Sequence, residues 1–237
     1  MSGSHRPVER GGSGDGGRGP MKVFAEVEQG SIEWHRMRAG RATASMFHRI
    51  ITPGGKLSAQ SEDYIDYLIG SGFMPEHEEF MGTKWTDRGT ALEPQGRAAF
   101  EQMTGLRVET VGFVTRDDYV AGCSPDGLIR GLDGQWTAGL EIKSKSPHVH
   151  VGYIRKGVLP DDVKVQVHGC LAVTKLPVWH LFCYFPGWQP LHIIVERDGF
   201  TRLVSDALDE FLIRYGKARV DTIPRLQLRQ ASPVFNS

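Results

Sequence analysis

The chain has 237 residues, 40% hydrophobic and 24% charged, enough for one domain with a substantial core around a sheet. Its 28 Lys and Arg balance 28 Asp and Glu, which excludes a protein that coats DNA by bulk positive charge; any nucleic-acid contact has to be local. No run of about 18 apolar residues offers a membrane span, and the three cysteines (123, 170 and 183) are scattered, which suits reduced cytoplasmic thiols and not a disulfide framework or a four-cysteine metal site.

Residues 1–20 hold seven glycines, no aromatic residue and one valine. That is too little apolar surface to offset the entropy of ordering, so the segment reads as a disordered leader without secretory character. A single domain is expected over 21–222, followed by a tail over 223–237. Ser31 is placed to cap a short helix, and Thr43 or Ser45 to cap a second that ends before Thr52-Pro-Gly-Gly. From Trp34 to Ser61 there are five basic residues (Arg36, Arg38, Arg41, Arg49, Lys56) and no acid. Arg38 beside such a helix start suits a phosphate, although the residues alone favour a solvated arginine and an ordinary cap.

Residues 58–70 carry Tyr64, Tyr67 and Leu68 at helical spacing, and Glu76–Glu79 reads as a solvated acidic loop. Thr86–Thr104 is the next helix, closed by Gly105, with Ala91, Leu92, Ala99 and Met103 toward the core. Glu93 reads as the capping-box partner of Thr90, and Pro94 beside it predicts a helix start near Thr90 or a kink there. Arg107–Thr115 and Tyr119–Ser124 alternate as antiparallel strands around Arg116-Asp117-Asp118.

The stretch Cys123-Ser-Pro-Asp126-Gly-Leu…Gly-Leu-Glu141-Ile-Lys143 carries the chemistry. Pro125 and Gly127 turn the chain at Asp126. Residues 138–143 read as a strand with Leu140 and Ile142 on one face and Glu141 and Lys143 on the other. A hairpin returning from Asp126 brings its carboxylate beside Glu141. Two hard oxygen ligands suit Mg²⁺ or Mn²⁺, and a neighbouring lysine can orient or deprotonate a water for attack on phosphorus. By spacing alone, a surface hairpin with a cross-strand ion pair fits equally well.

Ser144–His150 is expected as a loop at the mouth of this site. Asp161–Thr174 reads as a helix with Val163, Val167 and Leu171 or Cys170 inward and Gln166 one residue off the stripe. Trp179–Phe185 and Leu191–Glu196 read as strands, and Phe200–Lys217 as a closing amphipathic helix with Leu203, Ala207, Leu208, Phe211, Leu212 and Tyr215 on its core face.

The ordered landmarks Trp34-His35-x-x-Arg38-x-Gly40-x-x-Thr43-Ala44-Ser45, Glu93, Cys123-Ser-Pro-Asp126-Gly-Leu, Leu140-Glu141-x-Lys143 and Val165-Gln166-Val167 resemble the phage lambda exonuclease (YqaJ-type alkaline exonuclease) family of the PD-(D/E)xK nuclease superfamily. The resemblance implies an α/β (α+β), restriction-endonuclease-like fold, with a central mixed β-sheet flanked by helices. It implies Mg²⁺, with Mn²⁺ able to substitute, as two ions held by Asp126, Glu141 and the Ile142 carbonyl, with Glu93 as an additional acid. Lys143 would orient and activate water, and Gln166 would place the water or the scissile phosphate. Arg38 and Ser45 would hold a DNA 5′-phosphate. The family's further phosphate-binding arginine has no counterpart before Arg155, so His148, His150 or Lys145 would stand in, His148 foremost.

The implied activity is processive 5′→3′ degradation of the 5′-phosphorylated strand of linear duplex DNA, leaving 3′ overhangs. A homotrimeric ring and a single-strand annealing partner are implied as well, in the cytoplasm of a bacterial host and encoded by a phage or prophage. Two rivals are an endonuclease of the same superfamily, which would cut closed circles, and a silent DNA-end binder, which would ordinarily have lost Asp126, Glu141 or Lys143.

Overall fold

The computed structural model describes residues 21–74 and 84–226. In chain order its elements are β1 (Lys22–Phe24), α1 (Ile32–Arg38), β2 (Ala42–Thr43), a 3-10 helix (Ala44–Arg49), α2 (Ser61–Phe73), α3 (Lys84–Thr104), β3 (Val108–Glu109) and β4 (Phe113–Thr115). There follow β5 (Ala121–Cys123), β6 (Gly127–Arg130), β7 (Trp136–Lys143), α4 (Pro147–Lys156), α5 (Asp161–Thr174), β8 (Val178–Cys183), β9 (Leu191–Glu196) and α6 (Gly199–Leu226). The leader, the Glu76–Glu79 run and residues 227–237 lie outside the described residues.

The expected mixed sheet is present as five strands in the order β3-β6-β7-β8-β9. β7 pairs antiparallel with β6 and parallel with β8, so it is central and hydrogen-bonded on both edges. A second sheet, β1-β4-β5-β2, joins it. The stretch expected as one strand over Arg107–Thr115 is divided between the two: Val108 pairs with Ile129 and Phe113 with Phe24. Gly112 permits the crossing, because a β-carbon there would stand 1.8 Å from the Val27 carbonyl oxygen.

One face of β7 buries Leu140 and Ile142 with Phe100 and Phe182. α3 covers this face, and Gly96 sets how close it comes: a β-carbon at 96 would lie 2.9 Å from Ile142 Cγ2. The buried stripe of α3 is therefore Gly96 and Phe100, flanked by half-buried Glu93 and Arg97, while Met103, expected inside, is 47% exposed. The helix runs from Lys84 through Pro94 without starting there, so Thr90 lies within it and not at its start. Pro94 is exposed, and its missing N–H falls where water can serve the backbone.

α5 packs against the 3-10 helix, α6, β4, β5 and β8. Residues 167–174 are all buried, so the expected single stripe gives way to burial on every side. The Phe47 ring seats on Gly169, where a β-carbon would come within 2.6 Å of it. The 3-10 helix is thereby tied to the helix that carries Gln166.

Four other expectations change. Pro147–Lys156 is a helix where Ser144–His150 was expected to be a loop, since Pro147 takes the first helical turn and Gly157 closes the far end at φ 62°. α6 runs on to Leu226 through Pro224. Leu203 on α6 and Tyr67 on α2 face solvent, at 49% and 40% exposure. The three cysteines are buried thiols.

Buried His180 on β8 and half-buried His192 on β9 form a pair, Nδ1 to Nε2 at 2.9 Å, with Phe100 edge-on to both rings. Such a bond needs one nitrogen as donor and the other as acceptor, so the pair cannot carry a proton on both. Burial, then the neighbouring His192, push His180 down to about 4 from the ordinary 6.5, and burial lowers His192 too. Below about pH 6.5 the unfolded chain binds protons that the folded chain refuses, so stability is full above that value and falls as pH drops toward 4. Urea unfolding should show about 2 kcal/mol lost between pH 7.5 and 5 from His180 alone, and His180→Leu should flatten that slope.

Candidate active site

The β6–β7 hairpin assembles the centre of the site. The Asp126 N–H donates to the Leu140 carbonyl at 3.0 Å. The Ile142 N–H donates to Asp126 Oδ2 at 2.5 Å. The Asp126 carboxylate thus lies against the backbone of β7 beside Glu141, as the turn and the strand alternation predict.

Glu141 is only 3% exposed. Its Oε1 accepts from Lys143 Nζ at 2.6 Å and from Gln166 Nε2 at 2.8 Å. Lys143 Nζ also donates to Gln166 Oε1 at 3.1 Å, which closes a three-membered ring of side chains from β7 and α5. Glu141 Oε2 is buried without a hydrogen-bond partner. An orphaned carboxylate oxygen in such a place is costly unless something electropositive meets it.

The electrostatics point the same way. Burial, then Glu141 and Glu93, hold the Asp126 carboxyl well above the usual carboxylate range. Burial also raises Glu93; Arg97 opposes this, and Glu141 adds to it. Burial disfavours the Lys143 ammonium, but Glu141 and Asp126 outweigh it and its pKa is raised. Lys143 is therefore an ammonium here, a donor that orients. The site carries more negative charge than its one lysine relieves.

These features fit a divalent cation. Asp126 has an oxygen left after the Ile142 bond, Glu141 has the orphaned Oε2, and the Ile142 carbonyl follows Glu141 on β7. Among the described residues no three His, Cys, Asp or Glu side chains converge as a closed metal cage. Glu93 stands in the field of the two carboxylates from α3 and completes no cage with them.

A second cluster gathers at the end of α1. Ser31 caps that helix, its Oγ accepting from the Trp34 N–H at 3.2 Å. The Arg38 guanidinium lies 4.2 Å from the Trp34 ring, held at Nη1 by Ser124 Oγ (3.0 Å) and at Nη2 by Ser45 Oγ (3.3 Å) and Thr43 Oγ1 (3.4 Å). Ser124 also accepts from Trp34 Nε1 at 2.9 Å, so one hydroxyl two residues before Asp126 ties this cluster to the carboxylate turn. Thr43 makes no capping bond to the 3-10 helix; its hydroxyl serves Arg38 instead. Arg38 and Ser45 are together, as predicted.

His148 is not joined to them by any hydrogen bond among the described residues. It is exposed in the first turn of α4, with Nδ1 3.2 Å from Ser146 Oγ. His150 is 1% exposed, bonded through Nε2 to the Gln189 carbonyl and set against Phe185 and Trp188. It is a core histidine with no access to a phosphate. Lys145 faces Asp162 at 3.8 Å.

Three site residues escape a reading of the sequence: Arg97, Gln29 and Ser124. Arg97 carries a usable signal, one helical turn after Glu93 and so on the same face. Ser124 sits inside the motif but looks like a filler residue, and nothing local marks Gln29.

Solved structures share this architecture. An alkaline exonuclease (LHK-Exo) from Laribacter hongkongensis is similar at 25% identity, over 81% of this chain and 97% of that one, with a TM-score of 0.65. The same protein in complex with dAMP matches equally. A phage-related exonuclease from Haemophilus somnus 129PT shares the fold at 14% identity, over 79% and 96% of the two chains, with a TM-score of 0.60. No curated protein matches. Residues 33–177, which hold Arg38, Ser45, Glu93, Asp126, Glu141, Lys143 and Gln166, match the model of the YqaJ-like viral recombinase domain. The chain belongs to the YqaJ-like viral recombinase domain family, as the motifs implied.

Proposed function

We propose that the protein is a Mg²⁺-dependent DNA exonuclease that removes nucleotides from the 5′-phosphorylated strand of linear duplex DNA. The observation that carries the reading is the orphaned Oε2 of buried Glu141 beside Asp126, with Lys143 and Gln166 locked onto the other oxygen. The likeness to an alkaline exonuclease over most of the chain supports the substrate and the reaction class.

Asp126 and Glu141, with the Ile142 carbonyl, would hold a divalent ion, which would supply charge for the crowded phosphorus and a more acidic water; Mn²⁺ is expected to substitute, and Glu93 would serve as the additional acid for a second ion. The chain does the rest. Lys143 spends two donors on Glu141 and Gln166 and keeps the third for the attacking water or a phosphoryl oxygen. Gln166 holds that ammonium and Glu141 in one arrangement, so no reorganisation is needed when charge develops. Arg38 and Ser45 take the 5′-terminal phosphate, Arg38 stiffened by Trp34 and Ser124. His148 is the exposed residue available as a further phosphate ligand.

A neutral protein cannot stay on DNA by counterion release alone. A homotrimeric ring around the duplex would let it remain bound, and a single-strand annealing protein would take the 3′ overhang that it leaves. No described helix is long and apolar enough to cross a membrane, in keeping with action on DNA inside a bacterial host that carries the phage or prophage.

Digestion of linear and closed circular duplexes of one sequence in Mg²⁺ tests the reading. The linear form should disappear while the circle persists. Nicking or cutting of the circle would assign the site to an endonuclease, and binding without digestion would assign it to an end binder.

A further inference from the structure

The two carbonyls that bracket Asp126 are both held by side chains from outside the β6–β7 hairpin. Gln29, between β1 and α1, donates its amide to the Pro125 carbonyl and to the Val111 carbonyl, each at 2.9 Å. Arg97 on α3 donates through Nε (3.2 Å) and Nη2 (3.1 Å) to the carbonyl of Asp126 itself. We propose that Arg97, assisted by Gln29, is the positioning residue that sets the Asp126 carboxylate for metal binding.

The turn needs such a device. Pro125 fixes its own φ, whereas Gly127, which opens β6 opposite Leu140, has no β-carbon and so restrains the peptide plane after Asp126 less than another residue would; a tilt of that plane would move the carboxylate. Packing does not restrain it on this side, where a cavity of about 350 Å³ is lined by Gln29, Glu93, Arg97, Val111 and Asp126. A planar guanidinium with two donors on one oxygen fixes a plane, which a lysine ammonium cannot do. Arg97 also lies one turn from Glu93, so the helix that brings Glu93 into the site anchors the opposing carboxylate as well. The proposal rests on the metal reading above.

The test titrates Mg²⁺ into DNA-free protein and follows the melting temperature, for the wild type, Arg97→Lys and Gln29→Leu. The wild type should be stabilised by the metal. Arg97→Lys keeps the charge and loses the fork, so it should need about tenfold more Mg²⁺ for half its stabilisation, the cost usual for a residue that orients a ligand. Gln29→Leu should shift the same way by about threefold, and it decides the matter if the arginine variant does not fold. Titrations that overlay the wild type would overturn the positioning role and leave the metal reading intact. A wild type that Mg²⁺ does not stabilise would overturn both.

Discussion

Glu141→Gln should abolish DNA digestion, by about a thousandfold or more, while end binding is retained. The carboxylate does two things at once: Oε1 anchors Lys143 and Gln166, and Oε2 waits, buried and unpartnered. An amide can do only one of them. With its oxygen toward Lys143, its NH₂ group points to where a cation is expected; flipped, the NH₂ faces the ammonium and Gln166 Nε2. Loss of a single preorganised electrostatic group costs about a hundred- to a thousandfold, and here a candidate metal ligand goes with it. The Arg38 cluster contains no part of Glu141, so anisotropy of a labelled duplex end without metal should be near that of the wild type. Residual activity within tenfold of the wild type would remove Glu141 from the chemistry.

Arg38→Ala should erase the preference for a 5′-phosphate. A charge-assisted bond from arginine to phosphate contributes about 1.5–3 kcal/mol, so kcat/KM on a 5′-phosphorylated duplex should fall about ten- to a hundredfold. On a 5′-hydroxyl duplex the variant and the wild type should be nearly equal, because the interaction is absent from both. Arg38→Lys should recover little, since the ammonium cannot serve Ser124 and Ser45 as a fork while it stacks on Trp34. An equal drop on both substrates would make Arg38 a general support of the fold rather than a reader of the end.

The parts of this site that are local in sequence are legible in it. Alternation along β7 puts Glu141 and Lys143 on one face, and Pro-Asp-Gly delivers Asp126 to them, because a strand has period two and a hairpin closes nearby. α5 begins at Asp161 and ends at Thr174 as read, with Lys175 in the left-handed conformation closing it. What depends on distant chain is not legible. Glu93 looks like half of a capping box until α3 is seen to begin at Lys84 and lean on Ile142 through Gly96. The division of Arg107–Thr115 between two sheets depends on what Val27 leaves open beside Gly112. The loop expected after Lys143 did carry a helix signal, Ser146-Pro147 with Gly157 beyond, and the polar run Ser144-Lys145-Ser146 ahead of it obscured it.

The most direct measurement is the order in which label leaves a linear duplex, 5′-phosphorylated and marked at the 5′ end of one copy and the 3′ end of another. Release of the 5′ label first as a mononucleotide, with the 3′ label persisting on long single strands, is the predicted result. Early release of the 3′ label, or fragments cut from the interior, would contradict an exonuclease that enters from a 5′-phosphate held by Arg38 and Ser45.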